Sequence, residues 1–273
     1  SIERFTEFYG IENKFVDDFY DNLKIEWHHR NIRKLKIDFS NGCNLKCTMC
    51  SPHRSTAWFK DKIAIDQSFN FDDGYKKWND VHWKLDKNLM NEFSKSIPIE
   101  FIDNEWETIK NLNIIEVSGG EPLYHPQFLY LLDKLVENNW NGRLQMISNI
   151  TLMSDDIIEK LQKIRTAMCI SIDGCYDLYE YIRPATTIGK YKWNQIESTV
   201  DKLKANNMRF TFGFVPQLLN FYNIIDWLEW STSKLTHPEL DRLSTTVLHS
   251  PHILKICHHP DENEKQKLAE QLK

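Results

Sequence analysis

Three cysteines, Cys43, Cys47 and Cys50, lie within eight residues in a C-x3-C-x2-C pattern. A closed structural zinc site takes four protein ligands, and a common ferredoxin-type iron–sulfur cluster takes four cysteines. Three thiolates at this spacing therefore favour an iron–sulfur cluster with one iron left for a ligand from outside the protein. The residues leave one alternative open, a zinc-binding structural or interaction protein that uses these cysteines and His53.

The composition is that of a globular protein with an ample core. Of 273 residues, 41% are hydrophobic and 27% are charged, and the formal net charge is −5. The negative charge argues against broad electrostatic binding of nucleic acid. No apolar stretch approaches the roughly 18 residues that a bilayer crossing needs, and no signal-peptide pattern is present. Clustered cysteines fit a reducing compartment, so we expect a cytoplasmic protein without a membrane partner.

Strand-like and helix-like segments alternate along the chain. Leu35, Ile37 and Phe39 alternate with polar residues and predict a first strand directly before the cysteines. Further strands are predicted over residues 113–118, 144–148, 168–173, 210–214 and, more weakly, 243–248. Apolar residues at helical spacing lie between them, and Ser154 is a candidate helix N-cap. This order predicts βαβ units and a parallel sheet, as a partial barrel or an open doubly wound sheet.

Polar motifs follow four of the predicted strands at their carboxyl ends. They are the cysteine loop, Gly119-Gly120-Glu121-Pro122, Ser148-Asn149 and Asp173-Gly174. Ligands of parallel α/β sheets bind beyond the carboxyl ends of the strands. The four motifs are therefore expected to form one site.

A long insertion, residues 54–110, separates the first two strands and is rich in aromatic residues. It is interpreted either as a helical lid with its own small core or as a source of aromatic side chains over the site. We expect Trp58 to lie closest to the cavity. The predicted organisation is an N-terminal extension (1–32), a partial barrel (33–248) that contains the insertion, and a C-terminal tail with a helix (249–273).

Taken together, these motifs resemble the radical S-adenosylmethionine (SAM) superfamily, and most closely its molybdenum-cofactor-type and SPASM/twitch branch. The resemblance rests on the cysteine loop, Ser118-Gly119-Gly120-Glu121-Pro122, Ser171-Ile172-Asp173-Gly174 and Tyr181-Ile182-Arg183. It implies an enzyme with a partial (β/α)6 TIM-like barrel that holds a [4Fe-4S] cluster and SAM. It also implies reductive cleavage of SAM to a 5′-deoxyadenosyl radical, which abstracts a hydrogen atom from an unknown substrate.

The resemblance also implies roles for individual residues. Cys43, Cys47 and Cys50 would bind three irons of the cluster. Met49 would contact the adenine of SAM, and Glu121 would accept a hydrogen bond from its amino group. The other implied SAM-binding residues are Gly119 and Gly120 beside Glu121, Ser148 and Asn149 at the ribose, Ser171 and Asp173 near the carboxylate or ribose, and Arg183 at the carboxylate. Gln217 and Asn220 are weaker candidates for adenine or substrate, and no catalytic side chain is assigned.

The chain departs from SPASM/twitch relatives, which carry several more cysteines for auxiliary clusters. Only Cys257 follows the predicted barrel, so a second cluster within this chain is not expected. The implied partners are an electron donor such as flavodoxin or ferredoxin and a substrate that is a peptide or a small metabolite. A radical SAM-like module without catalytic activity is the remaining alternative.

Overall fold

The computed structural model of the chain describes residues 32–52, 54–68, 95–235, 243–248 and 251–272. Backbone contacts separate the unit Lys34–Lys273, to which the fold belongs, from Ser1–Arg33. Six strands form its sheet: β1 Lys34–Asp38, β2 Ile114–Ser118, β3 Arg143–Ser148, β4 Arg165–Ser171, β5 Phe210–Phe214 and β6 Ser244–Thr245.

The sheet is parallel throughout, and its strands lie in chain order from β1 to β6. Parallel neighbours need a crossover connection, usually a helix. The strand pattern left a partial barrel and a doubly wound sheet open. An open, parallel six-stranded α/β sheet in this order fits the partial TIM-like barrel that the family resemblance implied, so the predicted fold class is confirmed.

Nine α-helices are found in the described part of the chain. They are α1 Phe59–Ser68, α2 Ile99–Asn104, α3 Trp106–Ile109, α4 Pro126–Glu137, α5 Asp155–Lys163, α6 Tyr176–Ile182, α7 Trp193–Ala205, α8 Ile224–Lys234 and α9 Glu262–Gln271. Short 3₁₀ turns lie at Thr56–Trp58, Pro122–Tyr124, Leu218–Asn223, His252–Leu254 and Ile256–His258. None of the described helices combines the length and apolar character that a membrane crossing requires.

The two faces of the sheet differ because side chains alternate along each strand. Ile115, Val117, Leu144, Ile170 and Phe212 point to the helix-covered face and are completely buried. The residues between them point to the opposite face, which we call the inner face, and are partly or fully exposed. The core therefore lies between the sheet and its helices, and the inner face is left for polar residues.

Local sequence accounts for most of these elements. The Ser154 side chain accepts a hydrogen bond from the Ile157 N–H and caps α5, as predicted. Strand β6 is shorter than predicted, with two residues paired to β5. Helices α1, α2 and α3 belong to the insertion. Six of the aromatic residues of the insertion lie outside the described residues, namely Phe69, Phe71, Tyr75, Trp78, Trp83 and Phe93.

The loop after β1 packs directly against the turn after β2. The Glu121 N–H donates a hydrogen bond to the Gly42 carbonyl over 2.9 Å. A Cβ atom at Gly120 would lie 1.9 Å from the Gly42 carbonyl oxygen, and Gly120 has a φ of +29°. The family resemblance implied that Gly119 and Gly120 bind SAM. At Gly120, the group that approaches is the backbone of the cysteine loop itself.

We expect Gly120→Ala to destabilise the protein by more than Gly189→Ala does. Both glycines have positive φ, but a Cβ at Gly189 would meet no atom within 4 Å. The control therefore carries only the backbone strain, about 1–2 kcal/mol, whereas Gly120→Ala adds overpacking of roughly 1–3 kcal/mol. Urea unfolding of both variants measures the difference, and equal losses would contradict the importance of this contact.

Candidate functional site

A cavity of about 530 Å³ lies at the carboxyl ends of the strands. Ten of the residues singled out from the sequence line it: Cys43, Cys47, Met49, Cys50, Gly120, Glu121, Ser148, Asn149, Ser171 and Arg183. Gly119 and Asp173 do not line the cavity. Gly119 precedes the lining residue Gly120, and Asp173 is hydrogen-bonded to the lining residue Arg183. The structure therefore brings the predicted strand-end motifs together at one place.

The cysteine loop is fixed on one side by the segment that follows α6. Leu45 pairs with Ala185 in an antiparallel bridge. The Lys46 N–H donates to the Pro184 carbonyl over 2.8 Å, and the Thr48 N–H donates to the Ile182 carbonyl over 2.8 Å. These backbone hydrogen bonds tie the cysteine loop to the end of α6 and to the residues that follow it.

Trp58 supports the loop from the start of the insertion. Its Nε1–H donates to the Cys47 carbonyl over 3.1 Å, and Lys46 Nζ lies 6.0 Å from the centre of its ring. Trp58 is not among the residues that line the cavity; Ser51 and Arg54 are the lining residues of this region. The expectation that Trp58 lies closest to the cavity is wrong, because its indole N–H is hydrogen-bonded to the backbone of the cysteine loop.

Glu121 is a buried carboxylate that ties β2 to β3. It accepts hydrogen bonds from Ser148 Oγ at 2.7 Å, from the Asn149 N–H at 2.7 Å and from the Leu123 N–H at 3.2 Å. Burial raises the pKa of Glu121 to about 7, against these hydrogen bonds and the more distant Arg183, which favour the charged form. A cationic ligand in the cavity would stabilise its carboxylate.

The turn after β3 is held in a strained conformation. Ile150 has a φ of +54°, which is unusual for a β-branched residue. The Ile150 N–H donates to Ser148 Oγ, and the Asn149 amide donates to Asn44 Oδ1 at 3.1 Å. Asn149 Nδ2 also lies 3.9 Å from the Cys43 sulfur. These contacts fix Ser148 and Asn149 at the cavity and link them to the cysteine loop.

Asp173 and Arg183 form a buried ion pair beside Cys47. Asp173 Oδ2 accepts from Arg183 Nε at 2.7 Å and pairs with Arg183 Nη2 at 2.5 Å. Its Oδ1 accepts from the Val215 N–H at 2.8 Å. Arg183 Nη1 donates to the Cys47 sulfur at 3.5 Å. The pair therefore places a fixed cation against one of the three thiols and leaves part of the guanidinium lining the cavity.

The three thiols fit a cluster better than a single ion. Burial raises the pKa of Cys43 and of Cys50 to about 12, and burial also raises that of Cys47. In the described part of the chain, no three His, Cys, Asp or Glu side chains are grouped closely enough to hold one metal ion. Three cysteines around one cavity suit a cluster, in which each thiolate binds its own iron. His53, the fourth ligand of the zinc alternative, lies outside the described residues.

Some candidates from the sequence have structural roles. Gln217 and Asn220 are fully buried and do not line the cavity. The Asn220 amide donates to the carbonyls of Asp173 and Val215, each at 2.9 Å, and thereby fixes the chain beside the ion pair.

Several apolar residues that line the cavity were not predicted. They are Leu45, Ile147, Val215, Val247 and Leu248. Alternation along β3 gave the only signal, since it directs Ile147 away from the helix-covered face.

Comparisons with known proteins agree with this geometry. A family model described as "Radical SAM superfamily" matches residues 37–222. An uncharacterized protein of Methanocaldococcus jannaschii, MJ0907, is 26% identical over 199 residues, which cover 69% of this chain and 54% of the relative.

Among solved structures, Streptococcus suis SuiB bound to S-adenosylmethionine superposes with a TM-score of 0.56 at 15% identity, over 91% of this chain and 49% of SuiB. The enzyme anSMEcpe with bound AdoMet and a peptide gives 0.53 at 16% identity, over 80% of this chain and 51% of that chain. This chain thus spans about half the length of these proteins. Since the family match extends over more than half of its residues, the chain belongs to the radical SAM superfamily.

Proposed function

We propose that Cys43, Cys47 and Cys50 hold the [4Fe-4S] cluster of a radical SAM enzyme and that the rest of their cavity binds SAM. Radical SAM enzymes bind both groups. When bound, the cluster and SAM supply an electron transfer that cleaves SAM and a 5′-deoxyadenosyl radical that abstracts a hydrogen atom from the substrate. The observation that carries the proposal is that three thiols and the buried carboxylate of Glu121 line one cavity.

The cavity offers complementary groups for the amino-acid part of SAM. In the part of the chain that the structure describes, the buried Glu121 carboxylate forms no ion pair, so it would accept a charge-assisted hydrogen bond from the SAM ammonium. The part of Arg183 that lines the cavity would attract the SAM carboxylate. Ser171 also lines the cavity and supplies a hydroxyl. These side chains bind and orient SAM, while the reactive chemistry belongs to the cofactors.

Other parts of the lining suit the nucleoside part. Met49 presents an apolar thioether to the cavity beside the cysteines, as adenine stacking would require. Ser148 and Asn149 follow β3 and are candidates for the ribose, with Asn149 already held by Asn44. Gly119 and Asp173 contribute through their neighbours, Gly120 and Arg183, rather than by direct contact.

The substrate is proposed to be a peptide or a small metabolite. SuiB has been crystallised with the precursor peptide SuiA, and anSMEcpe with a peptide. The fold that this chain shares with them therefore accommodates peptide substrates in other members. A reducing cytoplasm and an electron donor such as flavodoxin or ferredoxin would complete the system.

The proposed ligands predict a clear split among the six cysteines. After anaerobic reconstitution, the wild-type chain should hold about four irons and, when reduced, cleave SAM to methionine and 5′-deoxyadenosine. Cys43→Ala, Cys47→Ala and Cys50→Ala should each lose the cluster and the cleavage, because each removes one iron ligand.

Cys169→Ala and Cys257→Ala are the matched controls and should keep both properties. Iron analysis, visible absorbance and chromatography of the products measure the outcome. An intact cluster without any SAM cleavage would instead support a non-catalytic module, and one zinc per chain would support the zinc alternative.

Glu121→Gln should remove a pH dependence of stability and weaken SAM binding. The pKa of Glu121 rises from 4.5 to about 7 on folding, so the folded state binds a proton more tightly and loses stability as the pH rises through this window. The apo variant should not show this loss, although its amide NH2 would face one of the donors that the carboxylate accepts from and so lower its stability at every pH. The cluster-loaded variant should bind SAM more weakly.

Urea unfolding between about pH 5 and about pH 8 and SAM titration calorimetry measure these two effects. Glu107→Gln removes an exposed carboxylate on α3 and is the control. If the pH dependence of unfolding were the same in wild type and Glu121→Gln, the raised pKa would be contradicted.

Arg183→Gln should lower the reduction potential of the cluster. In the wild-type chain, the N–H···S contact from Arg183 to Cys47 would favour the reduced, more negative cluster. The variant loses this hydrogen bond, which contributes about 1 kcal/mol. This corresponds to some tens of millivolts for one electron. EPR-monitored redox titration measures the shift. Lys46→Gln is the control because it removes a cation from the same loop that pairs with Asp61; an equal shift there would show that charge alone is responsible.

A further inference from the structure

The inner face of the sheet is strongly cationic near the amino ends of its strands. Alternation places five cationic side chains on this face or directly before its strands, namely Lys34, Lys36, Arg143, Arg165 and Arg209, against two carboxylates, Asp38 and Glu116. The whole chain has a net charge of −5. The positive charge of this face is therefore a local feature that the composition does not explain.

The carboxylates are already occupied by close neighbours. Glu116 pairs with Lys34 at 2.7 Å and with Lys36 at 3.7 Å. Asp38 accepts a hydrogen bond from Ser118 Oγ at 2.5 Å. Within the described residues, Arg209 forms no ion pair with a carboxylate. Its guanidinium is thus available to an anion from outside.

Arg209 lines a second cavity, of about 290 Å³, on this face. Glu116 lines it too, and its charge is offset by its ion pairs with Lys34 and Lys36. Gln145 lines the same cavity and adds an amide that can donate hydrogen bonds. Ile147 lines both this cavity and the one that contains the cysteines, and 46% of its surface is exposed. The two cavities therefore adjoin at Ile147, so one substrate can occupy the second while its reacting carbon reaches the first.

We propose that the substrate carries an anionic group, a carboxylate or a phosphate, that binds Arg209 in this second cavity. The inference rests on the proposed function and names the substrate class for it. The other cationic side chains of the inner face lie outside this cavity and would attract anions towards it, while the Arg209 guanidinium matches both oxyanions in shape. The anionic group would bind at the Arg209 end and orient the rest of the substrate past Ile147 towards SAM.

Cys169 provides a reporter, because its thiol lines the second cavity. In the cluster-loaded protein, Cys169 can be labelled with an anionic (ethylsulfonate) or a cationic (ethyltrimethylammonium) methanethiosulfonate, and mass spectrometry gives the rate at each cysteine. Cys257 is exposed on the surface and serves as the internal reference. The ratio of anionic to cationic rate should be about tenfold higher at Cys169 than at Cys257.

Arg209→Gln should lower the ratio at Cys169 by roughly threefold or more. Lys204→Gln removes the same charge from α7 on the outer surface and should leave the ratio unchanged. Inorganic phosphate and acetate, added as competitors, should slow anionic labelling, and the more effective one identifies the preferred oxyanion. No cluster turnover is needed, so failure of this inference is distinguishable from failure of SAM cleavage.

Three results would overturn the inference. The first is equal ratios at Cys169 and Cys257. The second is a Cys169 that neither reagent reaches, which would show that the cavity is closed to ligands. The third is a ratio that Arg209→Gln leaves unchanged while the variant unfolds at the same urea concentration as wild type.

Discussion

The backbone contact between Gly42 and Gly120 is the constraint on which the site depends. With the Glu121 N–H bonded to the Gly42 carbonyl and no room for a Cβ at Gly120, the cysteine loop is packed onto the end of β2. The contact thereby brings Cys43, which follows Gly42, and Glu121, which follows Gly120, to one cavity. A side chain at Gly120 would push the two loops apart, so the position of the site depends on this backbone packing.

Buried charge explains much of the site's chemistry. Within the described residues, Glu121 is buried with hydrogen-bond donors but forms no ion pair, while Asp173 and Arg183 neutralise one another. An unpaired buried carboxylate costs stability, whereas a well-formed pair with hydrogen bonds is tolerated. The thiols are also buried, and burial raises their pKa. Under the proposed function, cluster binding would therefore release protons, and loading would be favoured by higher pH.

Sequence patterns predicted the strands and helices that have one apolar and one polar face. They did not predict contacts between segments that are distant in the chain. Alternation located β4 through Met168 and Ile170, but not its first residues, because Arg165 lies at the polar end of the inner face. The family resemblance correctly assigned Arg183 to the cavity. The sequence around Arg183 does not show that most of its guanidinium binds Asp173. Trp58 was misplaced for the same reason, since its partner is a backbone carbonyl eleven residues away.

In the part of the chain that the structure describes, β1 is an edge strand, because it pairs with β2 alone. An exposed edge offers unpaired N–H and C=O groups to another chain and invites aggregation. Three of the five residues of β1, Lys34, Lys36 and Asp38, carry charge. The lysines that make the inner face cationic thus also discourage edge-to-edge pairing, so selection for solubility and selection for an anionic ligand would act on the same side chains.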